Sequence, residues 1–264
     1  MNIEFLTFLR REVYRFMVLY KQTIIPALLS SLLYILVFGE ALGKKIGPID
    51  NQSYMSYIVP GLAMMSVITQ SYQNSASSIM QAKYLKFIED ILIAPLSGLQ
   101  ISLGYIIGGA MRGLICGLAI LIMCIILSEI PEANGDFNIK NWPLTLLYLL
   151  TVSWTFSAFG VIIGIIARTW DEIGSFSNFI FMPMTFLGGV FYSVDMLPGW
   201  AQIISKINPI YWMISGLRYA TLGIDDKLLN NNTNITSLIL CIIFSTVFTI
   251  ISSYLFKKGY KIKS

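Results

Sequence analysis

The side chains that most often do chemistry are scarce in this sequence. It contains no histidine, which removes the usual general base, the commonest metal ligand and the proton relay that works near neutral pH. The three cysteines, Cys116, Cys124 and Cys241, all lie inside apolar runs and read as small buried hydrophobes, not as a disulfide or metal framework. The nearest approach to a phosphate-binding loop runs from Gly39 to Lys45. It has three residues, not four, between its glycines, and no Ser or Thr after the lysine. No catalytic, cofactor-binding or metal-ligating residue is assigned, and any ATP that drives this chain must be hydrolysed by another polypeptide. An enzyme embedded in a membrane would need an acid–base pair that the sequence does not offer.

Three segments carry polar groups where apolar ones are expected. Arg112 sits among Gly104, Gly108, Gly109, Gly113 and Gly117, at a depth where a bare charge costs a few kcal/mol. It must face the bundle interior, water or a partner, and either a pathway role or a structural one fits. Thr69 to Ser75 (Thr-Gln-Ser-Tyr-Gln-Asn-Ser) either lines a polar cavity or marks where a helix leaves the bilayer. Met80–Ile93 has the pattern of a short amphipathic helix, with Tyr84, Phe87, Ile88, Ile91 and Leu92 on one face and Lys83, Lys86, Glu89 and Asp90 elsewhere. Pro95 then turns the chain. Such a face docks into a groove on a cytoplasmic partner or packs against its own spans.

The elements that hold these segments are membrane helices. Of the 264 residues 56% are hydrophobic and only 12% charged, far below the quarter or so of charged residues in soluble domains. Six runs are apolar and long enough to cross roughly 30 Å of hydrocarbon: about 22–42, 54–75, 99–128, 142–167, 173–193 and 235–256. They leave no connection that folds as a separate soluble domain, so residues 1–264 are read as one transmembrane domain. Close packing is the default meaning of the glycine spacings in the third and fourth runs, where Gly160 and Gly164 repeat the pattern. Glu4 to Tyr20 has helical periodicity, with Leu6, Leu9, Val13, Met17 and Tyr20 on one side. It is either a helix lying in the interface on anionic lipid or a basic leader that only fixes topology; no cleaved signal peptide is expected.

After the fifth run comes a stretch too interrupted by Pro198, Gly199 and Pro209 to span, yet too apolar for a free loop. Two short helices broken at Asn208–Pro209, dipping into the outer leaflet, satisfy both constraints. Trp200, Tyr211 and Trp212 then suit an aromatic belt. The fold class is therefore all-α and polytopic: six transmembrane helices, an N-terminal interfacial helix and a re-entrant helical hairpin.

The net charge of +4 is spread thinly along the chain, which does not suit a nucleic-acid partner. Its placement is more informative. Arg10, Arg11, Arg15, Lys21, Lys83, Lys86, Arg168, Lys257, Lys258, Lys261 and Lys263 fall on one side of the spans, against Lys44, Lys45, Lys140, Lys206, Arg218 and Lys227 on the other. The bias puts both termini in the cytoplasm.

The string Phe186-Leu-Gly-Gly-Val-Phe-Tyr-Ser-Val-Asp-Met-Leu-Pro-Gly-Trp200, then Lys206-Ile-Asn-Pro-Ile-Tyr211 and Gly216-Leu-Arg-Tyr219, resembles the characteristic region of ABC-2 type permeases. Glu89-Asp-Ile-Leu-Ile-Ala-Pro-Leu96 resembles the loop before that family's third span. The resemblance covers nearly the whole length, and the short loops are similar to the compact drug and lipo-oligosaccharide branch. It implies a homodimeric or pseudo-dimeric permease of the bacterial inner membrane, with two ATP-binding subunits docked on its cytoplasmic side. It also implies export of lipids, lipid-linked saccharides or drug-like molecules. On that reading Tyr84, Phe87, Ile88, Glu89, Asp90, Ile91 and Leu92 form the helix that couples to the ATPase, and Arg112 is a pathway candidate. The alternative, an ion-coupled secondary transporter, would place acidic or histidine side chains mid-membrane, where the sequence offers only Glu40 near an outer end. The Glu-Ala-Ala…Gly loop of import permeases is not seen.

Overall fold

A computed structural model describes residues 3–50, 52–129, 137–226 and 233–259. Lys227, Lys261 and Lys263 of the basic set lie outside the described residues. The elements are helical throughout: α1 (Ile3–Val18), α2 (Tyr20–Tyr34) continuing as a wider-turned π segment (Ile35–Leu42) into α3 (Gly43–Ile46), α4 (Tyr54–Tyr84), α5 (Ile88–Ile93) and α6 (Gly98–Ser128). Then follow α7 (Trp142–Ile166), α8 (Trp170–Phe176) running through a π segment (Ser177–Phe181) into α9 (Met182–Leu187), α10 (Gly199–Ile207), α11 (Pro209–Leu222) and α12 (Thr233–Lys258).

Local chemistry sets the helix ends. The Ser53 hydroxyl accepts from the Ser56 N–H at the start of α4. Ser97 and Gln100 bond each other's backbone N–H at the start of α6, satisfying two donors that no helical carbonyl reaches. The Asn141 and Thr169 side chains each accept one N–H, from Leu144 and Glu172, at the starts of α7 and α8, and Pro209 opens α11 where its missing N–H costs nothing.

Four helical stretches, Tyr20–Gly39, Gly98–Ser128, Trp142–Ile166 and Asn234–Lys258, are long and apolar enough to cross a membrane. Helix α4, with 31 residues, has the length as well, about 46 Å at 1.5 Å per residue. Its polar stretch places it outside that set, because Thr69 to Ser78 trade hydropathy for contacts inside the protein. From Tyr54 to Ala82 most of α4 is buried, against α6 on one side and α7 on the other. Ser71, Asn74, Ser75 and Ser78 are all at most 2% exposed. Most of the polar run therefore faces neighbouring helices: Ser75 Oγ lies 2.7 Å from Ser157 Oγ of α7 and donates to the Tyr105 carbonyl of α6 at 3.2 Å.

Glycines make this approach possible. A Cβ on Gly160 would lie 3.1 Å from Tyr72 Cα, a backbone atom that no rotamer can move aside. The two ridges of α6 serve different neighbours: Gly109, Gly113 and Gly117 face α4, whereas Gly104 and Gly108 receive Phe8 and Glu12 of α1.

The helices alternate in direction. Lys83 Nζ donates to the carbonyl of Ala167 at 3.0 Å and also to that of Ile165, so α4 ends where α7 ends. A Cβ on Gly98 would sit 2.9 Å from the Lys257 nitrogen, so α6 starts where α12 ends. Helix α1, residues 85–97, the α7–α8 turn and the end of α12 thus share one end of the bundle. The N–H groups of Lys140 and Asn141 bond the carbonyls of Thr221 and Ala220, placing the start of α7 beside the end of α11 at the other.

Beyond α9 the chain turns at Gly189, whose φ of +76° suits glycine, and two short helices break at Asn208–Pro209 as the sequence suggests. The aromatic belt fits less well. Trp200 is 68% exposed, but Tyr211 is buried against Val194. Arg218 is also no loop-end cation: it is 5% exposed, donates to the Gly189 carbonyl at 2.8 Å and lies 3.9 Å over the Tyr57 ring.

Candidate functional site

The segment Met80–Ile93 is not one helix. Helix α4 carries through to Tyr84, where the Leu85 and Lys86 N–H groups bond the carbonyls of Gln81 and Lys83. Lys86 adopts a left-handed conformation (φ 62°), and α5 restarts at Ile88 in a new direction. Ala94, extended at ψ 148°, then precedes Pro95 as the proline ring requires.

This break divides the expected apolar face. Ile88 and Ile91 turn inward and are buried with Phe8, Tyr105 and Phe256, and Leu92 packs against the same cluster. Tyr84 turns outward, 75% exposed, together with Leu85 and Ile93 at 57% and 82%. Phe87 is half-buried beneath the Arg11 guanidinium, 4.5 Å from its ring centroid, while Glu89 and Asp90 are exposed. Packing on the bundle thus accounts for the Ile88 and Ile91 side, and the outward side carries a different set of residues. Leu85 and Ile93 were missed because they fall off the stripe of an unbroken helix.

Between α1 and this connection lies a groove of about 880 Å³, mostly apolar, lined by Phe8, Tyr14, Phe87, Ile91 and Leu96 with Arg11, Arg15 and Asp90 at its edges. Helix α1 forms its other wall. Phe8, Glu12 and Phe16 face the bundle at four-residue spacing, whereas Leu6, Met17 and Tyr20 of the expected apolar stripe are exposed. Helix α1 therefore has two apolar sides, and the inward one carries a carboxylate.

That carboxylate anchors a buried polar network. Ser78 Oγ donates to Glu12 Oε2 at 2.6 Å, and Arg15 Nε and an Arg11 Nη lie 3.8 and 3.9 Å from the Glu12 oxygens. Burial pushes the Glu12 carboxyl up from its ordinary range, while Arg15, Ser78 and Arg11 pull the other way. Arg15 Nη2 donates to the Asn74 carbonyl at 2.7 Å and to Asn74 Oδ1 at 3.0 Å. Arg112, from α6, approaches the same Oδ1 at 3.5 Å and donates to Gln70 Oε1. Gln70, Asn74 and Ser78 lie four residues apart on α4, so one stripe of that helix receives α1 and α6 together. Arg112 does face the interior, and its partners are neutral amides. Among the described residues no group of side chains suits a metal ion, and the three cysteines are free and buried.

The sequence profile of the ABC-2 type transporter family matches residues 3–222, which takes in α1, the groove, the network and the hairpin of α10 and α11. Over 254 residues the chain is 40% identical to "Inner membrane transport permease YadH" of Escherichia coli K12, covering 96% of this chain and 94% of that one. It is 24% identical to "Nodulation protein J" of Rhizobium meliloti over 76% of this chain and 74% of that one. A further relative, "Putative transport permease ycf38" of Cyanophora paradoxa, is 22% identical over 75% of this chain and 67% of that one.

Proposed function

Because the chain belongs to the ABC-2 type transporter family and is a membrane permease, we propose that it is the spanning subunit of an exporter driven by a separate ATP-binding cassette subunit. In this reading two copies of the permease pair in the bacterial inner membrane and move a lipid, a lipid-linked saccharide or a drug-like amphiphile. Six spans cross the bilayer, with both termini, α1 and α5 in the cytoplasm and α10–α11 dipping into the outer leaflet.

The observation that carries the proposal is the groove between α1 and α5 with the exposed Tyr84, Leu85 and Ile93 beside it. A permease without a nucleotide site moves only if a partner binds its conformations with different free energies. That requires contact with elements tied to the bundle. Helix α5 qualifies, since Ile88 and Ile91 root it among α1, α6 and α12 side chains, and Lys83 ties the end of α4 to the end of α7.

The test is co-purification of the tagged chain with an ABC-type ATPase from its own host, followed by ATP hydrolysis in reconstituted vesicles. Tyr84→Asp with Ile93→Asp places two charges on the outward side without touching the core. A loss of at least about 2 kcal/mol in association, roughly thirtyfold, is expected if these residues enter a partner's pocket. Full association and turnover by a folded double variant would remove this surface from the coupling. Ile88→Asp is uninformative, because a charge at a site 4% exposed disrupts the fold itself.

A further inference from the structure

We propose that Arg112, with Arg15, Asn74 and Gln70, forms a binding site for an oxyanion headgroup, phosphate or carboxylate, carried on an amphiphile. Three observations lead there. The first is charge. Two guanidiniums converge on one neutral oxygen, Asn74 Oδ1, at 3.0 and 3.5 Å. The one carboxylate in the network, Glu12, is paired with Arg15 and Arg11. Among the described residues no carboxylate lies within ion-pair distance of Arg112. Like charges held close in a low-dielectric interior repel strongly; Arg15 shares the Glu12 carboxylate with Arg11, and the amide oxygens leave Arg112 unneutralised.

The second observation is an excess of donors. Arg112 Nε and Asn74 Nδ2 are buried without an acceptor, Arg15 Nε has only the Glu12 carboxylate at 3.8 Å, and the one unmatched acceptor of the network is Glu12 Oε1; Asn74 is only 1% exposed. Buried donors left unmatched are costly. An oxyanion supplies several acceptor lone pairs in the planar fork geometry that guanidinium prefers.

The third is access. Gln70, which accepts from Arg112, also lines a cavity of about 80 Å³ between α2 and α4 whose walls include Ser30, Ser66 and Thr69. Ser66 Oγ in that wall is buried without a partner. Ala27, Tyr34, Leu62 and Met65 also line that wall, so a small cavity with hydroxyl and amide groups on an otherwise apolar lining reaches Gln70, the residue that meets Arg112, and suits a headgroup whose chain stays among apolar side chains. As a site on the transport route it rests on the permease reading. As a binding site it does not, since binding is measured on the isolated chain.

The experiment follows the thermal midpoint of the purified full-length protein in a neutral maltoside detergent as dodecyl phosphate, dodecylphosphocholine or inorganic phosphate is added. Dodecyl phosphate is expected to bind the wild type about tenfold or more tightly than the zwitterion, the difference expected of charge-assisted hydrogen bonds. Arg112→Gln should lose that preference and Arg112→Lys should keep part of it. Gln70→Glu sets a carboxylate against Arg112, so it should abolish binding while melting at or above the wild-type midpoint. It therefore decides the question even where Arg112→Gln fails to fold. Equal affinity for phosphate and zwitterion, or undiminished binding by Gln70→Glu, overturns the site. A shift by inorganic phosphate as large as that by dodecyl phosphate overturns the amphiphile and leaves a free-anion site. Failure of the chain to capture an ATPase would leave this result untouched.

Discussion

Gly160→Ala tests whether α4 and α7 are held together by backbone approach. The added Cβ would lie 3.1 Å from Tyr72 Cα and 3.2 Å from Ser75 Cβ, and closer still to the Tyr72 carbonyl oxygen. Carbon atoms pack best at about 3.5–4.0 Å, so the helices must part by roughly 0.5 Å, forfeiting a quarter to a half of each contact across the seam. With roughly 20 atom pairs at about 0.15 kcal/mol each, that is a loss of about 1 kcal/mol. Stretching the Ser75–Ser157 hydrogen bond across the same seam brings it to about 2 kcal/mol, within the range for overpacked cores. Alanine returns about 1 kcal/mol of helix propensity, leaving a net cost of about 1 kcal/mol and a melting midpoint lower by about 2–4 °C. Gly174, also helical, has nothing within 4 Å of its would-be Cβ, so Gly174→Ala should hold or raise the midpoint. The assay is tryptophan-fluorescence melting of both variants in mild detergent. A Gly160→Ala protein that melts at or above wild type would refute the backbone seam.

Glu12→Gln should flatten the pH dependence of stability. A carboxyl raised above 4.5 by burial binds its proton more tightly folded than unfolded, so the wild type gains stability as pH falls through that raised value and keeps it below 4.5; identical slopes of melting midpoint against pH in the two proteins would contradict this. Lys83→Met removes two carbonyl bonds at the end of α7 and should cost about 1–2 kcal/mol after discounting for partial exposure, read as faster proteolysis at the α7–α8 turn. For topology, Gly199→Cys should react with an impermeant thiol reagent in intact cells while Glu89→Cys reacts only after permeabilisation; the buried native cysteines supply a silent background, and the reverse pattern would invert the bundle.

Hydropathy and punctuation made the helices legible. Pro95, Pro198 and the Asn208–Pro209 step mark bends that the backbone makes, because proline acts on its immediate neighbours whatever the tertiary setting. Burial was harder to read. Thr69 to Ser75, taken as a run, say only that the segment is polar, whereas at four-residue spacing Gln70, Asn74 and Ser78 form a stripe that meets α1 and α6. Glu12 was equally visible: Phe8, Glu12 and Phe16 share that spacing, but the stronger stripe of Leu6, Val13 and Met17 drew attention to the opposite side. The break at Lys86 left no signal, since a left-handed lysine is imposed by packing on either side of it. Arg218 was assigned to a loop end by position alone, and only the fold brings Tyr57 and the Gly189 carbonyl to it.

The order of the network along the chain bears on how the protein is made. An isolated helix carrying Arg112 meets a penalty of about 2.5–3.5 kcal/mol for its guanidinium at the bilayer centre. Its amide partners, Gln70 and Asn74, belong to α4, and Glu12 and Arg15 to α1, all translated before it. Helix α6 therefore emerges from the ribosome after its receptors are in place, and can leave the insertion machinery by docking directly onto α4. A circular permutant that began at α6 would deliver the arginine to lipid first, and its defect would be one of insertion rather than of the finished fold.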